Sequence, residues 1–138
     1  MLITETPSLY DPRKSYIPMM FALAAGLLNH SIFFAIFYSF SIWPLFYFHV
    51  ISVILFLTLI FLLSKRLISS SAMLWASVEV ISHQILSVSF LGWDYGFQYY
   101  LLVIPGFILF GEFKGKFIPI LFSILSLSVL LFLFFFSD

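Results

Sequence analysis

Residues 17–40 form a run of 24 positions without one charged side chain. Few folds accept that. As a helix rising about 1.5 Å per residue, such a run crosses a hydrocarbon core of about 30 Å with some tilt. Further apolar runs follow at 44–64, 72–91, 97–110 and 117–136, joined by short polar connections. Only 9% of the chain is charged, against about 25% in an ordinary soluble domain. In lipid the backbone must satisfy its own hydrogen bonds, so each run reads as a helix. The run at 97–110 is the shortest, and Pro105 with Gly106 predicts a kink in it.

The first run is too long for a signal-peptide core of about 7–15 residues, and no small-residue cleavage pattern follows it. It reads as a retained anchor behind a polar tail at 1–16. No connection is long enough to fold as a domain, so 17–138 reads as one transmembrane unit.

The basic residues give the orientation. Arg13 and Lys14 precede the first run, Lys65 and Arg66 follow the second, and Lys114 and Lys116 precede the last. If the spans alternate, all six lie on one side, and the positive-inside rule makes that side the cytoplasm. The turns at 41–44 and 92–96 then face outward and carry no Lys or Arg. Pro44 suits the first turn of the second helix, and Trp43 suits a membrane interface. The expected fold is an all-α integral membrane bundle of five transmembrane helices with a cytoplasmic amino terminus.

The polar residues inside the runs are the candidates for function. A charge at the bilayer centre costs about 2.5–3.5 kcal/mol even on lenient scales. Glu79 and His83 are spaced i, i+4 and share one helix face. Asn29 and His30 fall near the middle of the first run. His49 lies roughly 8 Å below the outer end of the second. Asp94 stands in the outer turn GWDYG, beside Trp93 and ahead of Tyr99 and Tyr100.

Three arrangements account for these groups. Glu79 and His83 can pair with each other or with Asn29 and His30 and hold helices together. Interhelical polar contacts in membranes average under about 1 kcal/mol, which makes that a modest glue. They can instead form an outward-facing pocket for an unknown small ligand, with Glu79 and His83 as its floor, Trp93 and Asp94 as its mouth and Tyr99 as its side wall. Or they can hold a cofactor: haem b between His30 and His83, or zinc or copper on His49, His83 and Asp94. The outer turn also has plain structural uses. Gly92 can end a helix, Asp94 can cap the next one, and the aromatics can form an interfacial belt. The histidines share the pattern His-x-Ile-x4-Phe, which a chain this rich in Ile and Phe produces by chance. The 20 Phe residues suit lipid contact, or alternatively the lining of a ligand cavity.

Other classes lack support. The net charge is zero, so no bulk field draws nucleic acid, and there is no Cys for disulfides or thiolate chemistry. No phosphate-cradling loop, HExxH or GxSxG stands in the chain. The expectation is a non-enzyme, and a small transporter or membrane-complex subunit is the alternative from another class.

The motif Glu79-x3-His83, followed by Gly92-Trp93-Asp94-x-Gly96-Phe97-x-Tyr99-Tyr100, resembles the N-terminal membrane region of bacterial cyclic-nucleotide signalling proteins. Their output is a diguanylate cyclase (GGDEF) domain or a class III adenylate/guanylate cyclase. The match covers about 24 residues, and the rest agrees only in hydropathy and span order. The resemblance implies a six-helix sensory module in the bacterial inner membrane, acting as a homodimer through its output domain. This chain has no cyclase domain and would be such a module lacking its last helix, so only the sensing role carries over.

Overall fold

The computed structural model describes residues 12–110, 113 and 115–136. The tail expected at 1–16 therefore lies outside the described residues as far as residue 11, and so do Lys114 and Asp138. Among the described residues the chain is helical, with no strand. Five α-helices run in order: α1 (Pro12–Ser39), α2 (Trp43–Ser64), α3 (Ser71–Leu91), α4 (Ile104–Phe110) and α5 (Phe117–Phe136). Two 3₁₀ segments, Trp93–Tyr95 and Phe97–Val103, stand between α3 and α4. Helices α1, α2, α3 and α5 are long and apolar enough to cross a membrane.

The first two helices pack along matched seams. Met19, Leu23, Gly26, His30, Phe33 and Phe37 repeat at intervals of four and three along α1, and Leu45, His49, Ser52, Phe56, Leu59 and Leu63 do so along α2. A mean repeat of 3.5 keeps one stripe facing a partner helix. Gly26 sets the approach. A Cβ there would meet the Phe56 ring at 2.3 Å, so only glycine lets the ring lie against the α1 backbone. The chain turns between the two helices at Ser41, held at φ 59°, with Ile42 N–H donating to the Phe37 carbonyl and Ser41 N–H to that of Tyr38. Arg66, at φ 57°, closes α2 in the same way with Leu67 N–H on Leu62. Both ends are Schellman turns made without glycine.

Helix α3 is the central element. Half of its span window lies inside the protein, against 11% for α5, which is the most peripheral. Its buried face is unusually polar: Ser77, Glu79, His83, Gln84 and Ser87.

The expected fifth transmembrane helix at 97–110 needs correction. That stretch is a seven-residue 3₁₀ helix, Phe97–Val103, running into the short α4, and it is not long and apolar enough to count as a span. Local chemistry explains the break. Gly96 begins the stretch in the left-handed region at φ 76°. Pro105 then stands in the first turn of α4, behind a helical Ile104, where its missing N–H costs nothing. Phe97, Gln98, Leu101, Ile104 and Ile108 are buried, so protein packing rather than lipid stabilises it. A 3₁₀ helix rises about 2.0 Å per residue, so these 14 residues reach about 25 Å. Trp93 stacks edge-on against Phe134 at 5.5 Å, which puts the ends of α3 and α5 side by side. The chain must therefore return the height of the bundle before α5 starts, and this segment, buried along one face, is the return.

The connections sort to two ends. Phe37, Leu45, Val88, Phe97 and Leu133 share one apolar cluster near the 40–43 and 92–96 turns. Met19, Leu63 and Ala72 share another, on which Phe113 packs. Lys65, Arg66 and Lys116 belong to this second end, as does the helix start that carries Arg13 and Lys14.

Candidate functional site

The three histidines meet. The ring centroids of His30 and His49 are 5.3 Å apart, those of His30 and His83 5.4 Å, and those of His49 and His83 4.5 Å. Counted in helical rises from Ser39, Trp43 and Leu91, the three lie within about 5 Å of one depth. That is why side chains from α1, α2 and α3 converge. All three are buried, at 3%, 0% and 2% exposure.

Glu79 lies one turn deeper on α3 and ties the group together. Ser52 on α2 donates its hydroxyl to Glu79 Oε1 at 2.5 Å. Glu79 Oε2 faces His30 Nε2 at 3.1 Å, within ion-pair reach but not aligned as a hydrogen bond. The carboxylate thus bridges α1 and α2 from α3. This is the partner that a charge at this depth needs.

The hydrogen bonds also assign ring protons. His49 Nδ1 lies 2.9 Å from the Leu45 carbonyl. A carbonyl only accepts, so Nδ1 carries the hydrogen and Nε2 keeps its lone pair, with no partner. His30 Nε2 faces the Glu79 carboxylate, and its Nδ1 is likewise buried and unpartnered. His83 Nδ1 receives Gln84 Nε2 at 2.9 Å, while Ser87 Oγ stands 3.3 Å from His83 Nε2. Gln84 Oε1 is buried without a partner.

Aromatic rings enclose the centre. Phe56 lies 4.9 Å from His30, Phe37 5.0 Å from His49 and Phe48 5.7 Å from His83. Phe33 and Phe97 stand farther out, at 6.0 Å from His49 and 6.4 Å from His83. On one side the wall opens into a cavity of about 240 Å³, reached by Asn29, His30, His83, Gln84 and Tyr100. Ala25 and Tyr100 at its rim are exposed, so it opens on the flank of the bundle between α1 and the 3₁₀ helix.

Of the residues singled out from sequence, Glu79, His83 and His30 come together, and His49 joins them. Trp93, Asp94 and Tyr99 do not. Asp94 is exposed and makes no hydrogen bond or ion pair among the described residues. It caps nothing: Gly96 occupies the cap position of the 3₁₀ helix, without a side-chain cap. Trp93 and Tyr99 lie 6.3 Å apart and line a separate apolar hollow with Leu130, Leu131 and Phe134 of α5. The cavity that His30 and His83 line opens sideways, past Tyr100, and Glu79 lies behind it rather than in its floor. A metal set of His49, His83 and Asp94 loses its carboxylate. The His49 ring stands beside His30 and His83, the pair expected for haem, 5.3 Å from the first and 4.5 Å from the second. Ser52, Gln84 and Ser87 were not singled out. Ser52 falls on the seam of α2, and Ser87 extends the Glu79, His83 stripe by four more residues; those spacings carried the signal.

Compared with known proteins, the chain matches no family model, no curated protein and no solved structure.

Proposed function

We propose that the chain is a membrane-embedded sensory module whose working part is the centre of His30, His49, Glu79 and His83. One observation supports this above the rest. Four ionisable side chains from three helices are buried together, three of them with an unpartnered atom, and two of them, His30 and His83, line a cavity large enough for a small ligand. A purely structural pair would leave neither orphaned nitrogens nor space beside them. Because the groups come from α1, α2 and α3, a ligand that draws them together changes how those helices pack, and that is a population shift between two arrangements. The resemblance at 79–102 names the output as a nucleotide cyclase in a homodimer, with the basic end of the bundle in the cytoplasm of a bacterial cell.

The test joins the chain, through one added transmembrane helix, to a cyclase domain. Glu79→Gln and His83→Ala are each expected to change cyclase output at least several-fold. The Asp94→Asn chimera is expected to behave as the parent. Unchanged output and regulation in both centre variants would overturn the sensory reading.

A further inference from the structure

We infer that His30, His49 and His83 form a three-histidine site for a first-row transition metal ion of the imidazole-binding class, zinc or copper. The inference names the ligand of the site proposed above and rests on its being a ligand site.

The geometry supports this in three ways. First, one ring nitrogen from each histidine lies within 4.8 Å of the other two. Metal–nitrogen bonds of about 2.0–2.1 Å place tetrahedral ligand atoms about 3.3–3.4 Å apart. Closing that gap, about 1.4 Å at its widest, draws α1, α2 and α3 together through the three rings.

Second, each histidine turns its other nitrogen to a group that can hold it in a metal centre, and at His49 that hydrogen bond is already made. A ligating histidine generally donates its other N–H to a carboxylate, a carbonyl or a side-chain oxygen, which fixes ring and tautomer. His49 donates Nδ1–H to Leu45 and leaves Nε2 free. His30 turns Nε2 to Glu79 and leaves Nδ1 free. For His83, a half-turn of the Gln84 amide puts the orphaned Oε1 on Nδ1–H and releases Nε2, whose contact with Ser87 is long at 3.3 Å.

Third, the surroundings choose the class of ion. Three neutral imidazoles suit zinc or copper. Calcium and magnesium want sets of six or more oxygen ligands, and here three imidazoles face one another with Glu79 as the single carboxylate beside them among the described residues. The Glu79 carboxylate balances one positive charge. The cavity beside His30 and His83 leaves the fourth position open to water or a small anion.

The test uses the full-length protein, purified in detergent and stripped with a chelator. Titration with Co(II), followed by its visible ligand-field bands, is expected to reach one ion per chain, with Zn(II) displacing it. Cu(I) binding is measured separately by competition with a chromophoric chelator. His30→Ala, His49→Ala and His83→Ala are each expected to weaken binding at least 100-fold. Glu79→Gln, which disturbs only the support of His30, is expected to weaken it about 10–100-fold. If histidine variants fail to fold, the wild-type titration and Glu79→Gln still decide. Folded wild-type protein that binds none of the three ions at one per chain would overturn the inference, as would unchanged affinity in a folded His49→Ala. Failure here with a responsive cyclase chimera removes the metal and leaves the sensory reading. Stoichiometric metal with a flat chimera does the reverse.

Discussion

The centre on α1, α2 and α3 and the outer turn at 92–99 both interrupt an apolar chain with polar residues, but they depend on different parts of the polypeptide. At the centre, side chains do the joining. Glu79 reaches Ser52 on one helix and His30 on another, and Phe rings exclude lipid from the group. In the turn, the backbone carries the structure. Gly92 and Gly96 sit at φ 88° and 76°, Gly92 N–H closes α3 on the Val88 carbonyl, and the Asp94 side chain holds nothing among the described residues. A polar residue in such a chain therefore carries weight according to whether its surroundings oblige it to find a partner. Depth creates that obligation at Glu79, and exposure removes it at Asp94.

The sharpest way to test this contrast is to crowd the centre without touching a polar group. Gly26→Ala places a Cβ at 2.3 Å from the Phe56 ring, and that ring already lies 4.9 Å from His30. The ring has to move toward the polar centre or the α1–α2 seam has to open. Overpacking of this kind costs about 1–3 kcal/mol. Thermal unfolding in detergent should show the loss, and a compensating Phe56→Leu in the same chain should recover part of it. If Gly26→Ala is neutral, the seam is looser than described and the convergence of the histidines loses its support.

A smaller effect is expected where the backbone of the turn is forced. Gly92 combines φ 88° with ψ 174°, and a Cβ there meets nothing within 4 Å. Gly92→Ala therefore carries no packing cost and isolates conformational strain, which for an L-residue in this glycine-only region is about 1–3 kcal/mol, at the low end here because a partly exposed turn can relax. The same thermal assay measures it. A loss as large as that of Gly26→Ala would mean that the turn is under side-chain constraint after all.

The same contrast explains what could be read before the fold was known. The four long helices follow from apolar runs of sufficient length, because lipid imposes one requirement along the whole segment. The stretch at 97–110 meets that requirement in composition only. Its start is set by Gly96 in the left-handed region, and the burial of one face comes from neighbours that hydropathy does not name. At the site, the i, i+4 spacing makes Glu79 and His83 a pair, and depth brings in His30. His49 joins them through the seam 45, 49, 52, 56, 59 and 63, a spacing that holds two polar residues among four apolar ones and turns them inward. Depth alone does not show it. Trp93, Asp94 and Tyr99 invite grouping with Glu79 because they are near it in sequence. The departure of the chain from α3 at Gly92 separates them.

The smallest expected effect bears most directly on that separation. Asp94→Asn removes a charge and keeps the shape, at an exposed position without a partner among the described residues. Substitutions of that kind stay within about 0.5 kcal/mol. Tyr99→Ala is expected to cost little more, since its ring is 58% exposed and touches the protein mainly through Trp93. Neither should alter binding at the centre, which lies about three turns of α3 below. A measurable change in metal affinity or in unfolding temperature from Asp94→Asn would show that the turn folds down over the histidines in the working protein. The flank beside Tyr100 would then be a secondary opening, and the outward-facing pocket would regain its mouth.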